Sequence, residues 1–233
     1  MAELIIENLT IEDLTSFDLQ MFQPRHGYRY SLDPLLLVQF CQKLKPGGSI
    51  IDLGAGCGII SLLLARINPD SKVVAIENNP EMAALVELNI RHNILVGRVS
   101  AHSDDIINLK KNYPVSTFDL VVSNPPFRTP ESGRVSPITG RDNARHESTA
   151  GLADFLTASK YLVKPSGKIC FIHHPSRMQE FVSLSAQMKL SLLRLRMIHD
   201  NVTSTATMFM AELAKGRKGA TVVEAPFFVR DMD

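Results

Sequence analysis

An asparagine, two prolines and an aromatic residue close the hydrophobic run in FDLVVSNPPFRTP, residues 118–130. Proline cannot continue a central strand, so the motif predicts that a buried strand ends at Asn124. The side-chain carbonyl of Asn124 and the backbone carbonyl of Pro125 could each accept one N–H of an aromatic amine, with proline fixing the backbone direction. Phe127 could stack on a base, which is worth about 1–3 kcal/mol. We therefore predict Asn124, Pro125 and Phe127 as catalytic residues for attack by an exocyclic amine; an ordinary strand cap is the alternative.

A glycine-rich turn, DLGAGCG at residues 52–58, follows the predicted strand SIIDL and precedes a predicted helix. Glycines there let a ligand approach backbone N–H groups closely. A dinucleotide fingerprint requires G-x-G-x-x-G, but position 59 is isoleucine. The acid at the start of the turn would meet a pyrophosphate unfavourably and suits a cationic amine. The predicted cofactor-binding residues of this turn are Asp52, Gly54, Gly56 and Gly58, and a tight structural connection is the alternative.

Acidic residues follow the next two predicted strands. Glu77 ends KVVAIE, about 20 residues beyond the glycines, where an acid can hydrogen-bond a ribose. In SDDI, Asp105 could hold an adenine amino group while Ile106 packs against the ring. These contacts describe a ligand with an adenosine end and a cationic, amino-acid-like end, and S-adenosylmethionine fits that description. Helix capping is the alternative for Glu77 and Asp105.

Short β-branched runs alternate with longer helical runs from Ser49 onward. Such alternation predicts βαβ units and a parallel sheet covered on both faces. Near the C-terminus, SLLRLRMIHD and TATMFMAELAK predict a strand pair at the sheet edge, and ATVVEAPFFVR predicts a further strand. We therefore predict an α/β fold with a doubly wound, seven-stranded Rossmann-like sheet and an antiparallel edge strand.

The N-terminal residues lack this alternation. Residues 1–32 are predicted to form an extension, with a short strand or hairpin, that contributes to the cofactor and substrate site. The main domain is predicted to span residues 33–233. It opens with a helix that has Asp33 as its N-cap and Pro34 in its first turn.

Composition narrows the class of protein. The chain has 233 residues and a formal net charge of +1, so its net charge does not indicate a nucleic acid partner. Its three cysteines are widely spaced and show neither a disulfide framework nor metal-ligand spacing. No secretory signal is visible at the N-terminus, and no run approaches the roughly 18 apolar residues of a membrane span. We predict a cytoplasmic protein that binds no metal and does not associate with a membrane.

Together, DLGAGCG, the acid at a strand end and SNPPF resemble class I S-adenosylmethionine-dependent methyltransferases with an N-P-P-[YF] motif. More narrowly, QPRHGYRYSLDPLLL, ARHEST and RLRMIHD resemble the bacterial tRNA1(Val) (adenine(37)-N6)-methyltransferase family. The resemblance implies methyl transfer to N6 of an adenosine next to the anticodon of tRNA, with S-adenosylhomocysteine as product. It also implies a Rossmann-like methyltransferase fold for the main domain.

The same resemblance implies roles for individual residues. The glycine turn would hold the methionine part of the cofactor, while Glu77 binds ribose and Asp105 binds adenine. Tyr28, Arg29 and Asp33 would lie in the stretch that closes over the cofactor. Asn124 would border the cofactor as well as the target base.

Basic residues in and beyond the long segment after SNPPF predict contacts with RNA phosphates. The predicted RNA-binding residues are Arg128, Arg145, His146, Arg194 and Arg196. Solvated surface charge is the alternative for each of them. Arg194 and Arg196, on alternating strand positions, are expected to share a face.

Other functions stay open on the motifs alone. The acceptor could be guanine N2 in RNA or a protein glutamine amide, because SNPPF does not fix the amine. A nucleotide-binding oxidoreductase is disfavoured by Ile59, and a non-catalytic protein that binds S-adenosylmethionine and RNA is disfavoured by the intact amine motif. Monomer and homodimer are both compatible with the sequence.

Overall fold

Alternating strands and helices build the protein around one large sheet in a computed structural model that describes residues 8–26, 29–44, 48–126, 150–217 and 219–232. The strands are β1 Leu9–Leu14, β2 Leu19–Pro24, β3 Ser49–Leu53, β4 Lys72–Glu77, β5 Val99–Ser103, β6 Phe118–Ser123, β7 Val163–His173, β8 Leu190–His199, β9 Ala206–Lys215, β10 Val222–Val223 and β11 Phe227–Phe228. The helices are α1 Asp33–Cys41, α2 Ile59–Ile67, α3 Pro80–His92, α4 Leu152–Leu162 and α5 Met178–Gln187.

The large sheet has the strand order β10-β8-β9-β7-β6-β3-β4-β5, and β11 also pairs with β8. Strands β3 to β7 run parallel, while β9 runs antiparallel between β7 and β8. The predicted α/β fold with a mostly parallel sheet and an antiparallel edge is therefore confirmed. The sheet has nine strands and not the predicted seven, because the two-residue strands β10 and β11 add to it. The last predicted strand is instead two short ones, because Pro226 between them has no N–H to donate to a ladder.

Both faces of the sheet are covered, as a parallel sheet requires. On one face, Ile50 and Leu120 pack with residues of α1, α2 and α3. On the other face, Ile51, Val121 and Phe171 pack with residues of α4 and α5. Because side chains alternate along a strand, the two cores are drawn from successive residues of the same strands. This arrangement brings the carboxyl ends of β3, β4 and β6 to one edge of the sheet.

The predicted N-terminal hairpin is confirmed as the antiparallel pair β1–β2. It lies outside the large sheet and packs on α3 through β2. Helix α1 begins at Asp33 itself, after Leu32 as the capping residue, so the predicted N-cap was wrong by one position. The domain boundary between residues 32 and 33 stays a prediction.

Candidate active site at the carboxyl edge of the sheet

The glycine turn between β3 and α2 is fixed to the end of β4. The N–H of Gly54 donates to the Ile76 carbonyl oxygen over 2.9 Å, and the N–H of Gly56 donates to Oε2 of Glu77 over 2.8 Å. Both glycines have positive φ, 75° and 57°, a conformation that other residues rarely adopt. Gly54 and Gly56 are half exposed, so their backbone can contact a ligand.

Gly58 differs from the two earlier glycines because it is buried. A Cβ atom added there would lie only 2.8 Å from Cγ1 of Val86. The structure therefore accounts for Gly58 by helix packing, and its predicted contact with a cofactor stays a prediction.

Asp52 is fully buried immediately before the turn. Its Oδ2 accepts a hydrogen bond from Oγ of Ser61 over 2.7 Å, and no residue in the described part of the chain hydrogen-bonds Oδ1. Burial raises the pKa of Asp52 to about 7, the Ser61 hydrogen bond opposes this shift, and the charge of Glu77 adds to it. A positive ligand group near the turn would stabilise the ionised form, because opposite charges favour ionisation.

Glu77 lies at the end of β4, as the sequence predicts. Its Oε1 accepts from the N–H of Asn79 over 3.0 Å and its Oε2 accepts from the glycine turn. Burial raises the pKa of Glu77, and these backbone hydrogen bonds oppose the shift. Each carboxylate oxygen has two lone pairs, so Glu77 can hold the turn and still accept hydroxyl groups of a ribose.

Asp105 caps the short 3₁₀ helix Ile106–Lys111, where its Oδ1 accepts from the N–H of Ile107 over 3.0 Å. The N–H of the preceding Asp104 donates to the backbone carbonyl of Glu77 over 3.1 Å, so this stretch adjoins the ribose candidate. Ile106 is buried, with 7% of its surface exposed. The capping alternative accounts for one oxygen of Asp105, and its contact with adenine stays a prediction.

Asn124 follows β6 directly beside the end of β3. The neighbouring Ser123 donates from Oγ to the Leu53 carbonyl oxygen over 2.7 Å, which ties the ends of the two strands together. The side-chain oxygen of Asn124 is buried and has no hydrogen-bond partner among the described residues. Buried carbonyl oxygens without a partner are rare, and one at a strand end is a candidate acceptor for a ligand. Pro125 is buried and Pro126 is exposed.

Several predicted site residues fall outside the described part of the chain. They are Tyr28, Phe127, Arg128, Arg145 and His146. Their predicted roles in closing over the cofactor, stacking on the base and binding phosphates stay predictions.

Arg29 and Asp33 hold the segment between the hairpin and α1. Arg29 donates from Nη1 to Oγ1 of Thr10 over 2.6 Å, and its Nη2 lies 3.7 Å from Oε2 of Glu12. Asp33 accepts at Oδ2 from Oγ of Ser31 over 2.7 Å. These contacts fix the end of the extension, and a contact of Arg29 or Asp33 with the cofactor stays a prediction.

The guanidinium of Arg194 has partners within the fold. Its Nε lies 2.8 Å from Glu212, its Nη1 lies 3.3 Å from Glu224, and its Nη2 donates to the Phe40 carbonyl oxygen over 2.9 Å. The guanidinium also stacks 3.6 Å from the Phe40 ring centre, and only 11% of the side chain is exposed. The structure thus accounts for Arg194 within the fold, where it and Lys168 are the partners of the buried Glu212, and its predicted RNA contact stays a prediction.

Arg196, two positions further along β8, is half-buried and donates from Nε to the Ala225 carbonyl oxygen over 3.0 Å. Its guanidinium carbon lies 5.2 Å from the ring centre of Phe227. These partners belong to the C-terminal segment, which Arg194 also contacts at Glu224, and a joint patch of the two arginines stays a prediction. The phosphate contact of Arg196 alone stays a prediction.

The sequence reading missed two buried polar residues that support the site. Ser61 lies among apolar residues in the first turn of α2 and pairs with Asp52. Asn89 lies on the buried face of α3 and is fully buried. Both residues could have been found from the sequence as polar residues on the apolar face of a helix, because buried polar groups need hydrogen-bond partners.

In the described ranges, no group of three or more His, Cys, Asp or Glu side chains could hold a metal ion. No helix in the same ranges is long and apolar enough to cross a bilayer. The cysteines Cys41, Cys57 and Cys170 are buried free thiols. The metal-free chemistry predicted from the sequence stays a prediction.

Known proteins resemble the chain in the region of this site. Residues 33–139 match the family model of the methyltransferase small domain. A Porphyromonas gingivalis protein named tRNA1(Val) (adenine(37)-N6)-methyltransferase is 33% identical over 156 residues, which cover 64% of this chain and only 60% of that relative's length. A Shewanella loihica protein of the same name is 29% identical over 71% of this chain and 68% of the relative. The predicted resemblance to S-adenosylmethionine-dependent methyltransferases is confirmed.

Solved structures share the fold. A crystal structure described as a predicted O-methyltransferase from Agrobacterium tumefaciens matches with a TM-score of 0.67. The two chains are 19% identical, and the match covers 84% of this chain and 86% of the other. The Rossmann-like methyltransferase fold is therefore confirmed.

Proposed function

We propose that the protein transfers a methyl group from S-adenosylmethionine to N6 of an adenosine in tRNA, next to the anticodon. The observation that carries this proposal is the buried side-chain oxygen of Asn124 beside the glycine turn, which has no hydrogen-bond partner in the described part of the chain. Relatives named as tRNA1(Val) adenine-N6 methyltransferases support the choice of acceptor. A tRNA substrate agrees with the cytoplasmic location predicted from the sequence.

The residues at the strand ends fit S-adenosylmethionine. The half-exposed Gly54 and Gly56 offer backbone to the ligand, and Asp52 supplies a buried carboxyl group behind them for its positive charge. Glu77 offers carboxylate oxygens to the ribose hydroxyls, and Ile106 offers an apolar surface to adenine. When bound, this cofactor supplies the methyl group as a sulfonium electrophile and needs no metal.

The amine is activated by acceptors that are already in place. An aromatic amine is a weak nucleophile because its lone pair is delocalised into the ring. The oxygen of Asn124 and the carbonyl of Pro125 each accept one N–H, which keeps electron density on the nitrogen as it attacks. Fixed acceptors of this kind stabilise a transition state without rearranging, and the loss of one typically lowers kcat by about 10²–10³. Phe127 would stack on the base turned out of the RNA.

Two acceptors share this chemistry with adenine. Guanine N2 and a glutamine amide also present two N–H groups, so the Asn124 geometry alone does not choose between them. The names of the relatives favour adenine in tRNA. A protein that only binds S-adenosylmethionine and RNA would have no use for a buried acceptor at the amine position.

The test is methyl transfer from radiolabelled S-adenosylmethionine to unmodified tRNA, followed by digestion to nucleosides and mass identification. The proposal predicts N6-methyladenosine with wild-type protein and a loss of about 10²-fold or more in rate with Asn124→Ala. Label in N2-methylguanosine or in a protein glutamine would refute the adenine acceptor. Absence of label in every acceptor, despite cofactor binding, would refute the transferase activity.

A further inference from the structure

Asn89 on α3 and Asn93, which caps the end of α3, hold strand β2 of the N-terminal hairpin by the same contacts. Asn93 accepts from the N–H of Gln20 over 2.9 Å and donates to its carbonyl over 2.8 Å. Asn89, one helical turn earlier, accepts from the N–H of Phe22 over 2.8 Å and donates to its carbonyl over 3.0 Å. Both residues are buried: Asn89 is 0% exposed and Asn93 is 6% exposed. Each amide therefore pairs with one residue of β2 as a neighbouring strand would.

Asn89 makes one contact that Asn93 does not make. Its Nδ2 also donates to the carbonyl oxygen of Cys57 over 2.9 Å. Cys57 stands between Gly56 and Gly58 in the glycine turn, and it is buried. One amide thus binds the hairpin and the turn at the same time.

We infer that Asn89 is a positioning residue that couples docking of the N-terminal hairpin to the shape of the glycine turn. This inference rests on the proposed function, because it takes the turn as the cofactor site. Without the Asn89 amide, the Cys57 carbonyl and the Phe22 backbone would both lose a buried partner. The turn would then be free to leave the conformation that presents Gly56 to a ligand.

The matched pair Asn89→Ala and Asn93→Ala separates coupling from simple stability. Each variant loses the same two contacts to β2, so the thermal midpoints should fall by similar amounts. Calorimetric titration with S-adenosylhomocysteine should show Kd raised about tenfold by Asn89→Ala, the scale of one buried hydrogen bond, and less than about twofold by Asn93→Ala. Equal effects of the two substitutions on Kd, or no effect of either, would overturn the inference.

Hydrogen exchange of the wild-type protein tests the same coupling without any substitution. Linkage is reciprocal, so the ligand that binds the turn must also stabilise the docked hairpin. Saturating S-adenosylhomocysteine should slow exchange of the Phe22 amide by up to about tenfold, and more than that of the Gln20 amide. Unchanged exchange at Phe22 would overturn the inference.

The two proposals fail in different ways. If the wild-type protein binds neither S-adenosylmethionine nor S-adenosylhomocysteine, the proposed function fails and the coupling fails with it. If the wild-type protein binds them and Asn89→Ala binds as Asn93→Ala does, only the coupling is refuted.

Discussion

Replacing Asp52 by asparagine should remove a defined part of the pH dependence of the protein's stability. The substitution keeps the size of the side chain and a hydrogen bond to Ser61, and it removes a buried group that titrates. Burial raises the pKa of Asp52 from 3.8 to about 7. Between these values the folded protein holds a proton that the unfolded chain has released. The contribution of Asp52 to stability is therefore present below about pH 4 and is lost as pH rises through about 7.

The size of the effect follows from 1.36 kcal/mol for each pH unit in that window. From pH 5 to pH 8, the wild-type protein should lose about 3 kcal/mol of unfolding free energy relative to Asp52→Asn. Titrating groups that do not interact with Asp52 are common to both proteins and cancel in the difference. The assay is urea denaturation of both proteins, without cofactor, at pH 5, 6, 7 and 8. A difference in unfolding free energy that stays constant over this range would refute the reasoning.

Three further predictions concern Arg194 and its buried partner Glu212, the half-buried Arg196, and the thiol of Cys57. Arg194→Met should lower the unfolding free energy by about 3–5 kcal/mol in urea denaturation, since it leaves Glu212 buried with less compensation, while the salt dependence of tRNA binding should not change. A smaller slope of log tRNA affinity against log salt in this variant would support the predicted RNA contact of Arg194. Arg196→Gln should instead reduce the slope of log affinity against log salt by about one if it contacts a phosphate, and an unchanged slope would remove that contact. Cys57 should resist iodoacetamide at pH 8 until urea unfolds the chain, because its thiol pKa is about 12, and rapid labelling of the folded protein would contradict its burial.

Local patterns were enough to predict the large sheet. Runs such as SIIDL and KVVAIE are short, apolar and rich in β-branched residues. They alternate with helical runs, and this alternation indicates strands of a parallel sheet. The strand-end residues of the site followed from the same logic. Glu77 and Asn124 come directly after such runs, so the fold itself brings them to one edge.

Long-range partners explain what the sequence did not reveal. Arg194 alternates with apolar residues and looks like a surface cation, but its partners Glu212, Glu224 and Phe40 lie 18, 30 and 154 positions away. Asn89 likewise looks like an ordinary helix residue until β2 and the glycine turn are brought against it. Pairings of this kind depend on tertiary packing, which a short stretch of sequence does not determine.

The claim that a fixed oxygen on Asn124 activates the amine is tested most directly by the rates of two variants at saturating cofactor. Asn124→Ala removes the oxygen, whereas Asn124→Asp keeps an oxygen that can accept from the amine. We expect single-turnover methylation of tRNA to be slowed by about 10²–10³ in Asn124→Ala and much less in Asn124→Asp. Equal rates for wild-type protein and Asn124→Ala would contradict the claim.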